Sequence, residues 1–110
     1  MEGELCIRML KALADETRWR IVRELLVRTM TAGELTAALG ATAYNVSKHL
    51  RILREAGIVE TAKEGKTLQC QVVDAFRQRL TKNRSQLDLG CCTFRFFAPL
   101  RSPRAVVRRR

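Results

Sequence analysis

Histidine occurs once in this chain, proline twice and tryptophan once, and aromatic residues make up only 5% of its 110 positions. A lone histidine leaves a zinc or nickel site built on imidazoles unsupported. No carboxylate pair stands at catalytic spacing and no glycine-rich phosphate loop is present, so no constellation points to an enzyme. The scarcity of aromatics fits helix packing by Leu, Ala, Val and Ile better than an aromatic-rich sandwich. Long apolar runs are missing too: no stretch reaches the 18 or so residues a membrane span needs. The acidic start, Met1-Glu-Gly-Glu4, lacks the apolar centre of a signal peptide. A cytoplasmic location is therefore expected, where four cysteines stay reduced and form no structural disulfide framework.

Acidic residues are few as well, 11 against 21 Lys and Arg, for a formal net charge of +10. That surplus calls for a polyanionic partner, nucleic acid first and an anionic membrane second. It is uneven. Arg101, Arg104, Arg108, Arg109 and Arg110 follow Ala98 with no acid among them, which leaves +5 on the rest. Residues 98–110 read as a disordered basic tail whose attraction to nucleic acid is sequence-neutral and falls with salt.

What is present is a run of helical signals. The length suits one domain. Leu5, Cys6, Met9, Leu10 and Leu13 recur at helical spacing over residues 4–14. Asp15 caps a second helix reaching about Arg28, with Glu16 in its first turn and Trp19, Val22, Leu25 and Leu26 inward. Thr31-Ala-Gly-Glu34 is a capping box opening two turns of helix, with Leu35, Ala38 and Leu39 inward and Gly40 as terminator. Thr42 then caps a helix carrying Val46, Leu50 and Leu53, ended by Gly57. A linker as short as Gly40-Ala41 suits two steeply crossing helices. From Ile58 the period changes to two, with a turn at Lys63-Glu64-Gly65-Lys66 and alternation over Thr67–Val72. Asp74 caps a last helix to about Leu87, with Phe76, Leu80, Asn83 and Leu87 facing inward.

The class expected is mainly α with a small β-hairpin: a winged helix-turn-helix of five helices and a two-stranded wing. Residues 1–90 form the DNA-binding and dimerisation domain, 91–97 a cysteine-containing segment and 98–110 the tail. In such a fold the first turns of the second helix of the motif meet base edges, while other groups hold phosphates. Asn45 suits a bidentate adenine contact and Ala43 a thymine methyl. Thr42, Tyr44, Ser47 and Lys48 suit phosphates, and His49 and Arg51 extend the polar face, although a lone histidine is more often structural. Lys63 and Lys66 flank the wing tip, where the plainer reading is a solvated turn.

Leu13-Ala-Asp-Glu-Thr-Arg18, then Glu34-Leu35, then Val46-Ser-Lys-His-Leu-Arg-Ile-Leu-Arg-Glu-Ala-Gly57, resemble the ArsR/SmtB family of winged helix-turn-helix repressors. The resemblance covers about residues 5–88. It implies a homodimer built from the first and last helices, released from an operator by a metal, a metalloid or another signal. The apolar stripes agree, since Leu5, Met9, Leu13, Phe76, Leu80 and Leu87 exceed what one small domain needs and suit a dimer interface. A two-fold dimer sets two reading helices ~34 Å apart on an inverted repeat in double-stranded DNA.

Two sensor sites common in that family are absent. Thr31 and Gly33 stand where a Cys-x-Cys would, and Asp74-Ala-Phe76 where an Asp-x-His would, so Asp74 is read as a cap. Among the cysteines, Cys70 reads as a core residue of its strand. Cys6 is either a packed interface residue or a third sulfur. Cys91 and Cys92 follow Gly90 with Arg95 nearby, and nearby positive charge lowers thiol pKa. Thiolates select soft ions. Adjacent cysteines fit a closed tetrahedral zinc site poorly but suit As(III) or Sb(III), which need two or three sulfurs. Some arsenic-sensing family members resemble this chain in carrying C-terminal cysteine pairs. No obligatory cofactor is implied. The pair could instead work by thiol oxidation, or pack inertly with Phe94 and Phe96. Two other functions stay open: a winged regulator without metal, controlled by redox or a protein partner, and a basic RNA-associated protein.

Overall fold

A computed structural model describes residues 3–81 and 86–95. Asn83, Phe96 and the tail from 98 lie outside them. The element order is α1 (Gly3–Leu13), α2 (Glu16–Val27), β1 (Met30–Thr31), α3 (Ala32–Leu39), α4 (Ala43–Glu55), β2 (Val59–Glu64), β3 (Thr67–Val72), α5 (Asp74–Arg77), β4 (Leu80–Thr81), β5 (Gln86–Asp88) and β6 (Thr93–Arg95).

The helix boundaries follow local chemistry. The Asp15 carboxylate accepts the Arg18 N–H at 3.1 Å and caps α2. At α3 the Thr31 hydroxyl accepts from Glu34 N–H while the Glu34 carboxylate accepts from Thr31 N–H, a complete capping box. Gly40 closes α3 at φ 65°, a left-handed conformation that costs glycine nothing sterically. Thr42 caps α4 by accepting from Asn45 N–H at 3.2 Å. Two long side chains cap helix ends from a distance. Arg77 donates to the Leu25 and Leu26 carbonyls, at the end of a helix with no basic residue in its own last turn. Arg20 donates to the Leu39 carbonyl of α3.

One core serves the whole chain. Ile21, Val22 and Leu25 of α2, Leu35 of α3, Val46 and Leu53 of α4 and Ile58 have no solvent exposure. Burying a side chain of that size stabilises by about 1.5–3 kcal/mol. Trp19 is only partly buried and Ala38 is exposed, against the expected inward positions.

Two features differ from the sequence expectation. The wing sheet has three strands in the order β1-β3-β2, because Met30 pairs with Cys70 and Thr31 with Gln69. The hairpin register places Glu64 opposite Thr67, with Gly65 at φ 64° in the first central turn position, as primed hairpin turns require.

The larger difference is at the C-terminal end. The expected helix to Leu87 is a single turn, Asp74–Arg77, capped by Val73 without a side-chain bond, so Asp74 is its first residue and not its cap. A second sheet, β4-β5-β6, follows. Leu80 and Leu87 are seven residues apart, which places them on one face of a helix, yet they are direct cross-strand partners. Thr81, Asn83 and Ser85 are weak helix formers. Leu87 and Leu89 are both fully buried with exposed Asp88 between them, a period of two.

Candidate nucleic-acid interface and thiol cluster

Helix α4 presents two faces. Val46, Leu50 and Leu53 are buried, and Ala43, Tyr44, Asn45, Ser47, Lys48 and Arg51 are exposed, with Tyr44 77% accessible. Tyr44, Ser47, Lys48, Arg51 and Arg54 line one shallow surface depression, a basic face without a carboxylate in it. Arg51 faces Glu55 one turn on at 4.0 Å, an exposed pair of little energetic weight. The Thr42 side chain is exposed but its hydroxyl is engaged as the cap. Lys63 and Lys66 are exposed on either side of the wing turn, near Leu68, which is itself 58% exposed.

His49 departs from the expected set. Its side chain is only 14% exposed and turns away from the reading face, toward α2. Arg18 Nη1 lies 3.1 Å from His49 Nδ1. A guanidinium only donates, so Nδ1 accepts and the ring proton sits on Nε2. Arg18 also donates through Nε to the Ala12 carbonyl at 2.6 Å and through Nη2 to the Lys11 carbonyl at 3.5 Å. One side chain thus ties the end of α1 to the middle of α4. The Asp15 carboxylate lies 3.9 Å from the same imidazole nitrogen. Partial burial pushes the Asp15 pKa up, but the Arg18 N–H bond and the Arg18 charge, with smaller help from His49 and Thr17, outweigh it and hold the carboxyl below its ordinary value. Nothing in the periodicity of the sequence marks Arg18 for this role.

The cysteines fall into two environments. Cys70 is buried in the wing sheet, where desolvation raises its thiol pKa against the opposing charge of Arg54. It is an inert core residue, as expected. The other three converge. Cys91 and Cys92 sit in the loop of the β5–β6 hairpin, where Leu89 N–H donates to the Cys92 carbonyl and Gly90 takes φ 91°. Gly90 N–H donates to the Asp88 carboxylate at 2.8 Å, which braces the loop. Cys6, buried on the inner face of α1, reaches this loop from 85 residues away. The three Sγ atoms lie within 4.8 Å of one another, with Cys91 and Cys92 sulfurs 3.6 Å apart.

Cys6 and Cys91 are joined as a disulfide, with Cα atoms 6.6 Å apart and Cys92 free. The sequence led us to expect reduced thiols throughout. Two residues beyond Cys92, Phe94 packs edge-on against Trp19 of α2, ring centroids 5.6 Å apart. Phe94 is therefore a core-facing residue, while Cys91 is exposed and Cys92 partly so. Cys6, Cys91 and Cys92 form a sulfur-only donor set, matched to soft ions.

The side chains expected at a dimer interface are mostly used within the single chain. Met9, Leu13, Phe76 and Leu87 are buried in its own core and Leu80 is half-buried. Leu5 remains accessible, as does its neighbour Ile7.

A family profile described as a helix-turn-helix domain matches residues 13–62. The HTH-type transcriptional regulator CmtR of Mycobacterium tuberculosis is 42% identical over 93 residues, spanning 84% of this chain and 79% of the relative. The chain belongs to the ArsR/SmtB family of winged helix-turn-helix transcriptional regulators. Among relatives in this family, a probable mercury resistance operon repressor of Streptomyces lividans is 32% identical over 92 residues, 78% of this chain and 74% of the relative. Solved family structures superpose on the fold. HlyU from Vibrio cholerae matches with a TM-score of 0.62 at 34% identity, over 67% of this chain and 83% of that one. The cadmium sensor CmtR of Mycobacterium tuberculosis matches at 0.57 and 42% identity, over 63% and 72%. A homodimeric winged helix-turn-helix domain of Mycobacterium bovis matches at 0.60 and 26% identity, over 63% and 64%. These family members are transcriptional regulators and not enzymes. Among the described residues, no helix is long and apolar enough to cross a membrane.

Proposed function

We propose that this regulator is a cytoplasmic repressor that binds an inverted-repeat operator as a homodimer and leaves it when a soft, thiophilic ion binds Cys6, Cys91 and Cys92. The single observation that carries the reading is the convergence of three sulfurs from opposite ends of the chain, without an imidazole or carboxylate in the cluster. In reduced form they offer three thiolates to one ion. With metal–sulfur bonds near 2.3 Å, a trigonal set spaces its sulfurs by roughly 4 Å, comparable with the spread seen here. Zinc prefers a fourth ligand and hard cations prefer oxygen. As(III) and Sb(III) suit a three-sulfur set on chemistry alone. Cadmium and mercury, named for two relatives, belong to the same soft class.

The DNA-reading groups are Ala43, Asn45 and the exposed polar side chains of α4, with Thr42 helping to fix the start of the helix. Lys63 and Lys66 hold backbone phosphates. His49 contributes by positioning α4. Leu5 and Ile7 on the outer face of α1 supply apolar surface for the two-fold contact, supported by the homodimeric relative.

Gel shift with a duplex selected by the protein from a random pool tests this reading. Arsenite or cadmium added to reduced protein should release the DNA, and the Cys91→Ser/Cys92→Ser variant should keep it bound. Equal release from the variant would remove the thiol cluster from the account.

The disulfide supports a second, redox reading. Oxidation of the Cys6 and Cys91 thiols to the disulfide hands two electrons and two protons to an oxidant and withdraws two of the three sulfurs from any ion. Comparing DNA affinity of reduced and oxidised protein, both without metal, separates the two: redox control requires a difference there, ion control does not.

A further inference from the structure

The thiol cluster and the reading helix lie on different elements, and a cleft separates the helices that carry them. Arg8, Lys11 and Ala12 of α1 form one side of that cleft, Ile52, Glu55 and Ala56 of α4 the other. Arg18 lines the same cleft and reaches across it. Its Nε and Nη2 hold the Ala12 and Lys11 carbonyls, and its Nη1 holds His49 Nδ1. Cys6 stands six positions before Ala12 on α1, about 9 Å along a stiff helix. The link from sulfur to reading helix is therefore short: Cys6, the α1 backbone, two terminal carbonyls, one guanidinium, one imidazole, α4.

We propose that Arg18 is the residue that couples ion binding at Cys6, Cys91 and Cys92 to DNA release, by transferring a shift of α1 to His49 and so to the reading helix. The inference rests on the thiol-cluster reading above and adds the route by which that site acts. Drawing Cys6 toward an ion shared with the β5–β6 loop moves α1 as a body, because a hydrogen-bonded helix resists internal extension. The carbonyls at its C-terminal end move with it. Arg18 starts from the first turn of α2, a helix anchored in the core by Ile21, Val22 and Leu25, so its guanidinium cannot follow α1 and keep His49 as well. One of the two attachments lengthens. If the imidazole bond breaks, α4 loses a buried-side restraint directly beneath Asn45 and Lys48, and the reading face no longer sits in a fixed register. A hydrogen bond from a charged donor is among the stronger single links available for this.

The experiment measures a ratio, the DNA dissociation constant with cadmium over that without, by fluorescence anisotropy on the selected duplex with reduced full-length protein. Cadmium binding is followed in parallel by the thiolate charge-transfer absorbance. A coupling of ordinary allosteric size makes the wild-type ratio about 5–150. In His49→Leu and, independently, Arg18→Met, cadmium should still bind with its wild-type absorbance change while the ratio falls toward 1. His49→Gln, which restores an acceptor for Arg18, should recover most of it. A merely structural role would alter DNA affinity with and without cadmium alike and leave the ratio intact. A wild-type ratio in both His49→Leu and Arg18→Met, with cadmium bound, overturns the coupling role and leaves the thiol site standing. Failure of the wild-type protein to bind cadmium or to respond to it overturns the thiol-cluster reading, and the coupling role with it.

Discussion

Cys91 and Phe94 stand in one short hairpin and face opposite ways, the thiol toward Cys6 and solvent, the ring toward Trp19. That geometry makes the chain's only tryptophan a reporter on its proposed sensor. An ion drawn into the cluster shifts the hairpin and with it the edge-on contact. Tryptophan emission should change on adding cadmium to reduced protein and stay constant in Cys91→Ser/Cys92→Ser; an unchanged wild-type spectrum at full occupancy would count against a moving hairpin. Asn45 and the wing lysines divide the labour of binding in the same residue-level way. Asn45→Ala should cost about 1–3 kcal/mol of discrimination against the wrong base at one position. Lys63→Ala and Lys66→Ala should weaken all duplexes alike and flatten the salt dependence by about one unit of slope for each phosphate left without its lysine. Selection from a random pool, repeated at two salt concentrations, checks both. His49, on the same helix as Asn45, belongs with neither group, because Arg18 holds it on the inner side.

At the scale of elements, caps decided what could be read in advance. Asp15, the Thr31/Glu34 box, Gly40, Thr42 and Gly57 act within a few residues of themselves, and every helix they bound lies where the sequence put it. The region after Asp74 has no such marker. Leu80 and Leu87 satisfy a helical face and a hairpin pairing equally, so spacing alone could not separate the two; Leu89, fully buried two residues beyond Leu87, was the signal for strand. The strand β1 was equally invisible, since a two-residue strand has no period of its own. The Asp15 cap also gives a test with a sign. Asp15→Ala should lower stability by about 1 kcal/mol near neutral pH. Because the folded carboxyl titrates below its unfolded value, its contribution is full above the unfolded pKa and is lost as pH falls through the folded one. Chemical denaturation at pH 7 and below about pH 4 should show the gap between wild type and variant closing in acid; a constant gap would mean that the charge is not what stabilises α2.

Across the whole molecule, the first and last described segments meet, and that meeting was only half visible in the sequence. The residue types in Cys91-Cys92 and their soft-ligand chemistry could be read directly. The partnership with Cys6 could not, because it depends on the hairpin bringing residue 91 back over α1 in place of a straight helix carrying it away. The same short C-terminal elements cover Phe76 and Leu87, which withdraws them from a dimer surface and leaves the outer side of α1 as the exposed apolar face. Sensor, core and two-fold contact thus share one helix. The central claim is that one soft ion takes all three sulfurs. X-ray absorption at the cadmium edge on reduced, cadmium-loaded protein tests it most directly: a first shell containing three sulfurs that loses one in Cys6→Ser is the result the account predicts, and a shell of oxygen or nitrogen, or a sulfur count indifferent to Cys6, would contradict it.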